Sequence, residues 1–426
     1  MSKGSGGRAI GCGLALAVLL GSGAAAAPVH GTPVCAGSDG YAADFDGRRT
    51  FLWRPDWLRA IKADLDRNPA LQPARTAVFA RADAALDRQP YTVVDKIQTP
   101  ASGDKHDYMS MGPYWWPDPA RRDGLPYVRR DGQMNPERET NAFDLADLEA
   151  MSQDVQALAL AYYFTGDERY ARQAARFIRV WFLDSETRMN PNFNHGQAVP
   201  GRVSGRAEGV IDAHRLVRIV EAVGLLGPSE AMADADHIAL QDWFAELVHW
   251  MATSPIGREE RAAENNHGIY YDALISHFAL YAGMDDVVRA VAERAKGDRI
   301  ASQIAPDGRM PHELERTRSL HYTTWTLVAA FDLADLAACT GVDLWNYSTP
   351  DGRSLRAAVD YLAPYAGREE AWPHPELNRA VTIGTYEVLQ RAAWAWQDAS
   401  YAEGAARLAP ANANSVLNLR LPPYGP

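Results

Sequence analysis

Two short segments of this sequence place polar side chains at the start of an apolar helical pattern. In ENNHGIYYD, Asn265, Asn266 and His267 come directly before a stripe of apolar residues at helical spacing. In ELERTRSLHY, Arg316 and Tyr322 lie at the start of a second stripe. One capping residue is enough to satisfy exposed N–H groups at a helix start, and a lone tyrosine there is usually a core residue. The combination nevertheless indicates a reactive site.

This set of side chains fits β-elimination on a polymer of uronic acids. The C5 proton of a uronate lies next to a carboxylate, and an arginine and an asparagine amide can spread the charge that develops there. A tyrosine whose pKa is lowered by nearby cations can take that proton as a phenolate. An imidazole can hold the tyrosine or act as the base itself, and either group can return a proton to the leaving O4. The scheme requires no metal and no cofactor.

Two long segments, residues 95–140 and 184–207, interrupt the helical pattern and are rich in aromatic residues and arginine. Loops of this length are usually functional or disordered, and so many aromatic residues are not typical of disorder. In PYWWPDP the aromatic rings could bind the C–H faces of sugars, or could form a hydrophobic plug. Arginines in the loops of an acidic chain predict a cleft for carboxylates, although surface Arg–Glu pairing is an alternative.

We therefore predict a catalytic set and a substrate-binding set. The catalytic residues are Tyr322, His267, Asn266 and Arg316. The substrate-binding residues are Arg318, Tyr114, Trp115, Trp116, His106, Tyr108, Arg202, Arg206, Asn265 and His321.

The elements that must position these residues are helical hairpins. Gly166, Gly227, Gly283 and Gly341 each end an apolar stripe, and they recur about every sixty residues. A unit of that length suits two long helices and a loop, each hairpin burying its apolar face on its neighbours. The pattern predicts an all-α fold, an (α/α) toroid or incomplete barrel with the two long loops over its cleft. An open right-handed solenoid is the alternative.

Composition and the amino terminus restrict the function further. The chain has 426 residues and a formal net charge of −11, which disfavours nucleic acid or anionic lipid as a partner. Residues 1–26 resemble a secretory signal peptide with cleavage after Ala26, so we expect a periplasmic or secreted protein without membrane insertion. Residues 27–426 are predicted to form a single domain with a core at roughly 50–390. Cys35 and Cys339 could form a disulfide, and neither has metal-ligand neighbours.

The motifs ENNHGIYYD and ELERTRSLHY, with KHDYMSMGPYWWPDP upstream, resemble the alginate lyase family of bacterial polysaccharide lyases. The resemblance implies an (α/α) toroid that cleaves 4-linked uronates, usually mannuronate-rich alginate, by elimination. It also implies that Asn266 and His267 are the family's Asn–His pair, Tyr322 its catalytic tyrosine and Arg316 its carboxylate-neutralising arginine. The chain has one residue fewer between arginine and tyrosine than well-known members, so Arg318 is a rival to Arg316 and glucuronan an alternative substrate.

Two other classes of function are consistent with parts of the sequence. A glycoside hydrolase on the same toroid would need two carboxylates roughly 5–9.5 Å apart, and Glu208, Asp212, Glu264 and Glu313 are the candidates. A non-catalytic carbohydrate-binding protein would need only the tryptophan-rich loop. The products distinguish the three classes, since only a lyase leaves an unsaturated uronate.

Overall fold

The computed structural model describes residues 45–377 and 383–425, and its architecture is predominantly helical. The predicted signal peptide and Cys35 lie outside the described residues, whereas Cys339 is disulfide-bonded. In chain order the helices are α1 (Pro55–Asp64), α2 (Gln72–Leu86), α3 (Leu145–Thr165), α4 (Glu168–Ile178), α5 (Leu216–Leu226), α6 (Asp234–Thr253), α7 (Pro255–Arg261), α8 (Asn266–Tyr281), α9 (Asp285–Ala295), α10 (Pro311–Leu314), α11 (Ser319–Ala338), α12 (Leu355–Leu362), α13 (Ile383–Trp396) and α14 (Ala399–Leu408).

The helices form two layers of hairpins. The inner helices α3, α5, α8, α11 and α13 pack side by side in that order, and α8 is buried almost all round. The outer helices α4, α9 and α12 bury one face only, as expected for amphipathic helices on a surface. Within residues 45–377 and 383–425, no helix combines the length and apolar character that a bilayer crossing needs.

The glycines predicted to end hairpin helices lie at the hairpin turns. Gly166, Gly283 and Gly341 have φ of 74°, 73° and 80°, the left-handed conformation that glycine adopts without strain. Gly227 differs, because its φ of −45° keeps it helical at the end of α5 before the chain turns at Pro228. The hairpin periodicity is therefore confirmed, although one of its four turns has another geometry.

The two ends of the described chain close the ring of helices. The α2 helix packs on α3, and the segment Val416–Leu419 packs on α2. Trp57 of α1 lies against Trp394 of α13 with ring centroids 5.6 Å apart. The Trp394 indole N–H also donates to the carbonyl oxygen of Pro422 at 2.9 Å. These contacts join the first and last hairpins, so the fold is the predicted toroid and not the open solenoid.

A buried carboxylate anchors the amino-terminal segment inside this ring. Glu221 of α5 accepts hydrogen bonds from the backbone N–H groups of Phe51, Leu52 and Trp53 at 3.0–3.2 Å. It also lies 2.7 Å from His277 Nε2 of α8, and both side chains are fully buried. One side chain thus holds three backbone donors that would otherwise lack partners.

We expect Glu221→Ala to destabilise the fold by about 3–5 kcal/mol, because it leaves a buried imidazole and the backbone N–H groups of Phe51, Leu52 and Trp53 without their hydrogen-bond partner. Chemical denaturation, followed by circular dichroism, measures this difference. Glu246→Ala, on the exposed face of α6, is the matched control and should change stability by less than about 0.5 kcal/mol. Equal stability of the two variants would contradict the anchoring role.

The two long loops contain short strands that the sequence pattern did not predict, and one strand pair joins the loops to each other. Strand β1 (Met109–Met111) pairs in parallel with β4 (His195–Ala198), and β2 (Trp115–Trp116) pairs antiparallel with β3 (Val128–Arg129). A buried ion pair between Lys96 and Asp144, 3.1 Å apart, ties the start of the first loop to the residue preceding α3. The loops are therefore ordered and packed together.

Candidate active site

The candidate site lies where the inner helices α8 and α11 begin, because these two helices pack along each other. Asn265 is the capping residue of α8, and its side chain accepts the backbone N–H of His267 at 3.1 Å. The side-chain oxygen of Asn265 is thus a helix cap, and its role in substrate binding stays a prediction. Asn266 and His267 form the first turn of α8, and Tyr322 lies in the first turn of α11.

Tyr322 is nearly buried and makes two contacts through its ring and hydroxyl. Its hydroxyl oxygen lies 2.5 Å from that of Tyr114, which the first long loop supplies. The guanidinium carbon of Arg316 lies 3.9 Å from the centre of its ring, a cation–π contact. Burial and the neighbouring Tyr114 raise the pKa of Tyr322, and the lowering by Arg316 does not offset them. The expectation of a cation-lowered pKa was therefore wrong, and the resting phenol is neutral.

A loop carboxylate holds Arg316 in this position. Asp131 accepts a hydrogen bond from Arg316 Nη2 at 3.0 Å, from the Thr317 hydroxyl at 2.8 Å and from Arg129 at 2.7 Å. Burial alone raises the pKa of Asp131, but these hydrogen bonds outweigh it and bring the pKa to about 2. Asp131 is thus an anion at neutral pH and a permanent partner for Arg316.

A second buried carboxylate orients Asn266. Glu313 of α10 accepts the backbone N–H of Asn266 at 2.6 Å and its side-chain amide at 3.0 Å. Burial raises the pKa of Glu313, while Asn266, Arg316 and His267 act to lower it. The amide oxygen of Asn266 is buried and has no hydrogen-bond partner among the described residues. Glu313 therefore electrostatically links the residues brought by α8 with those brought by α11.

His267 forms a close pair with a carboxylate of α7. Its Nδ1 lies 2.7 Å from Glu260 Oε1, and the imidazole keeps 17% of its side-chain surface exposed. Burial lowers the pKa of His267, but the charge and hydrogen bond of Glu260 outweigh it, and the net pKa is raised. Of the two acid–base candidates, the imidazole is therefore the one that loses its proton at the lower pH.

The tryptophans of the first loop are covered by arginines. The guanidinium groups of Arg202 and Arg206 lie 5.3 and 6.0 Å from the ring of Trp115, and that of Arg130 lies 5.4 Å from Trp116. Both rings are half-buried, and their role as a sugar platform stays a prediction. The guanidinium group of Arg206 is itself occupied, because it donates to Glu208 at 2.6 Å and to Gln197 at 2.8 and 3.0 Å.

Three further predicted binding residues make hydrogen bonds within the protein. Tyr108 is fully buried, and its hydroxyl donates to Asp212 at 3.1 Å, so its predicted contact with substrate was wrong. His106 donates through Nδ1 to the carbonyl oxygen of Arg188 at 2.6 Å and fastens the two long loops together. Trp116 is partly exposed, but its indole N–H donates to the carbonyl oxygen of Gln133 at 3.0 Å and supports the loop.

His321 adjoins the site but does not carry charge there. It stacks on Trp325 with ring centroids 6.0 Å apart and packs edge-on against Tyr322 at 5.2 Å. Burial and the positive charges of Arg318 and Arg316 lower its pKa to about 4. A neutral imidazole between two arginines can donate or accept a hydrogen bond but does not attract a carboxylate.

The carboxylates that a glycoside hydrolase would need are occupied elsewhere. Glu313 holds Asn266, Asp212 accepts from Ser110 and Tyr108, and Glu208 pairs with Arg206 at 2.6 Å. Glu264 lies on the surface. Across residues 45–377 and 383–425, no cluster of three or more His, Cys, Asp and Glu side chains forms a metal site.

A charged cavity of about 510 Å³ is lined by residues of α3, α5, α11 and α13. His214 lines it and packs edge-on against Trp325, with ring centroids 5.3 Å apart. In its wall, Arg391 pairs with Asp332 and Asp335 at 2.6 and 2.7 Å. These charges compensate one another and tie α11 to α13, so we assign the cavity to the scaffold.

Comparison with known proteins gives a consistent result. Residues 92–372 match the model of the alginate lyase family. The chain is similar to an alginate lyase from Bacteroides ovatus of known crystal structure, with 40% identity, a TM-score of 0.83, and coverage of 88% of this chain and 99% of that one. Alginate lyase A1-III from Sphingomonas species A1 is 17% identical over 74% of this chain and 85% of its own, with a TM-score of 0.42.

A variant of alginate lyase A1-III complexed with a tetrasaccharide gives 18% identity, a TM-score of 0.46, and coverage of 73% of this chain and 83% of its own. No curated protein sequence matches the chain significantly.

Proposed function

Because this chain belongs to the alginate lyase family and is a polysaccharide lyase, we propose that it cleaves alginate by β-elimination at the site formed by α8 and α11. The observation that carries the proposal is the phenol of Tyr322 stacked under Arg316, whose charge acts on the same buried carboxylate, Glu313, that holds Asn266 and feels the charge of His267. Together these residues supply an acid, a base and stabilisers of developing negative charge.

The two arginines of ELERTRSLHY have different roles in this proposal. Arg316 stacks on Tyr322 and is paired with Asp131, so its charge acts on the phenol and on the charge that develops beside it. Arg318 has a buried Nε without a hydrogen-bond partner among the described residues, and no carboxylate pairs with it there. Its uncompensated guanidinium is the group that we assign to the substrate carboxylate.

The stereochemistry of the sugar determines which residue removes H5 and which residue protonates O4. In mannuronate H5 and O4 lie on the same side of the ring, so Tyr322 can serve both once it is deprotonated. In guluronate they lie on opposite sides, and His267 takes H5 while Tyr322 protonates O4. The neutral resting phenol, which can donate a proton to O4, and the imidazole paired with a carboxylate support the second division. The preference for mannuronate-rich chains stays a prediction.

Incubation with polymannuronate, polyguluronate and glucuronan tests this function. We expect rising ultraviolet absorbance from the new C4=C5 double bond with one or both alginate polymers, and fragment sizing then distinguishes endo from exo action. Cleavage of glucuronan alone would replace alginate with the alternative substrate. Saturated fragments would indicate a hydrolase, and binding without cleavage would indicate a carbohydrate-binding protein.

The location of this activity is proposed to be the periplasm or the extracellular space. The proposal rests on the signal-peptide pattern of residues 1–26, and the disulfide at Cys339 is in keeping with an oxidising compartment. Cell fractionation of the expressed full chain, with mass determination of the mature protein, tests it.

A further inference from the structure

We propose that Glu260 is a positioning residue of the elimination reaction, whose buried carboxylate fixes the tautomer and orientation of His267 and leaves Nε2 as the base. This inference rests on the proposed lyase function and deepens it. Glu260 does not touch the sugar in this scheme. It acts only through the imidazole.

The geometry of the pair supports a single arrangement of the imidazole. Glu260 is 1% exposed, and its Oε1 lies 2.7 Å from His267 Nδ1. A carboxylate only accepts hydrogen bonds, so the Nδ1 position carries the hydrogen and Nε2 carries the lone pair. The imidazole is the more exposed partner, with 17% of its side chain accessible against 2% for Glu260. The pair is thus buried at the carboxylate and more open at the imidazole.

Several charged groups face the pair from other elements. Arg206 and Glu208 approach it from the end of the second long loop, and Glu313 approaches from α10. Glu208 is itself paired with Arg206 at 2.6 Å, and Glu313 is held by Asn266. Of the three carboxylates, Glu260 is the one in hydrogen-bond contact with His267, so it is the one that can set the tautomer.

The reaction step needs this arrangement. His267 Nε2 takes H5, the electrons of the C5–H bond form the C4=C5 double bond, and the C4–O4 bond breaks. O4 keeps the electrons of that bond and receives the proton of the Tyr322 hydroxyl, so His267 becomes an imidazolium and Tyr322 a phenolate beside Arg316. Proton exchange with solvent then restores both groups. Glu260 stabilises that imidazolium beside its buried carboxylate, as the third member of a catalytic triad does. This step applies to guluronate, where the base and the acid lie on opposite sides of the ring.

The variant that tests the role is Glu260→Gln. A glutamine amide can donate to Nδ1, which would place the hydrogen on Nε2 and block the base. We expect kcat on polyguluronate to fall by about 10²-fold or more, with a smaller fall on polymannuronate, where Tyr322 serves both roles. Glu259→Gln, on the exposed face of the same helix, is the matched control and should keep wild-type kinetics.

The pH profile separates positioning from simple support of the fold. A base works in its neutral form, so activity rises with pH through the pKa of His267. Removing the carboxylate removes its raising effect on that pKa, so the acidic limb should move to lower pH in Glu260→Gln. Glu260→Asp keeps the charge and should restore part of the rate. If Glu260→Gln fails to fold, the position of the acidic limb of the pH profile and the value of kcat are measured in Glu260→Asp instead.

A titration of the free protein keeps this inference separate from the proposed function. NMR of ¹⁵N-labelled imidazoles, with His267→Gln used for assignment, should show the Nδ1–H tautomer of His267 in the wild-type protein. In Glu260→Gln it should show the Nε2–H tautomer and a lower His267 pKa. An unchanged tautomer and pKa, or a fall in kcat no larger than the loss of folded protein, would overturn the positioning role. If wild-type protein cleaves no uronate polymer while the tautomer and pKa still change, the lyase proposal fails instead.

Discussion

Replacing Tyr322 with phenylalanine should lower kcat on alginate by about 10²–10⁴-fold, the usual effect of losing an acid–base group. The hydroxyl is the group that protonates O4 in either epimer, so both polymannuronate and polyguluronate should be affected. The ring, and with it the cation–π contact with Arg316, is retained, so the variant should fold normally. Initial rates of ultraviolet absorbance measure the effect, with KM expected to change little.

The control for this experiment is Tyr347→Phe, which removes a hydroxyl at a distance from Tyr322. Tyr347 is partly buried and lies near Lys296 of the outer layer, so its variant should keep full activity. Near-full activity of the Tyr322→Phe variant would remove this residue from the mechanism. The neutral imidazole of His321, which packs against it, would then be the next acid to examine.

The second large effect is expected at Arg316. Arg316→Ala should lower kcat by about 10²–10³-fold, because the charge stacked on Tyr322 and stabilising the developing negative charge is lost. Arg318→Ala should mainly raise KM, by about tenfold, because Arg318 is assigned to the carboxylate in the bound substrate. Separate measurement of kcat and KM at several polymer concentrations distinguishes the two.

The matched control is Arg309→Ala, which removes the same charge from an exposed arginine paired with Asp307. It should change neither constant by more than about twofold. The opposite pattern, with kcat lost in Arg318→Ala and KM raised in Arg316→Ala, would exchange the two assignments. Equal changes of kcat and KM in the two variants would contradict the separate roles of Arg316 and Arg318.

Much of the fold followed from local patterns in the sequence. Glycine positions and apolar stripes predicted the helical hairpins because helix formation and its termination depend on neighbouring residues. Gly227 shows the limit of that reasoning, because a glycine after an apolar stripe need not adopt the left-handed conformation. Closure of the ring depended on Trp57 meeting Trp394, and no local pattern encodes that contact.

Some residues of the candidate site could likewise be proposed from local motifs, and others became visible only in the tertiary structure. Residue types and spacing at two helix starts were enough to select Asn266, His267, Arg316 and Tyr322, because each motif lies within one turn or loop. The sequence pattern did not single out Asp131 or Glu260. Asp131 is 185 residues from Arg316, and Glu260 is an ordinary glutamate on a short helix.

The tertiary structure alone decided how these groups are charged. Tyr114 reaches Tyr322 from 208 residues away, and this contact together with burial leaves the phenol neutral where the sequence suggested a phenolate. A sequence specifies which side chains can ionise. The ionisation itself depends on the water that folding removes and on the charges that it brings within a few ångströms, because both terms act through space and not along the chain.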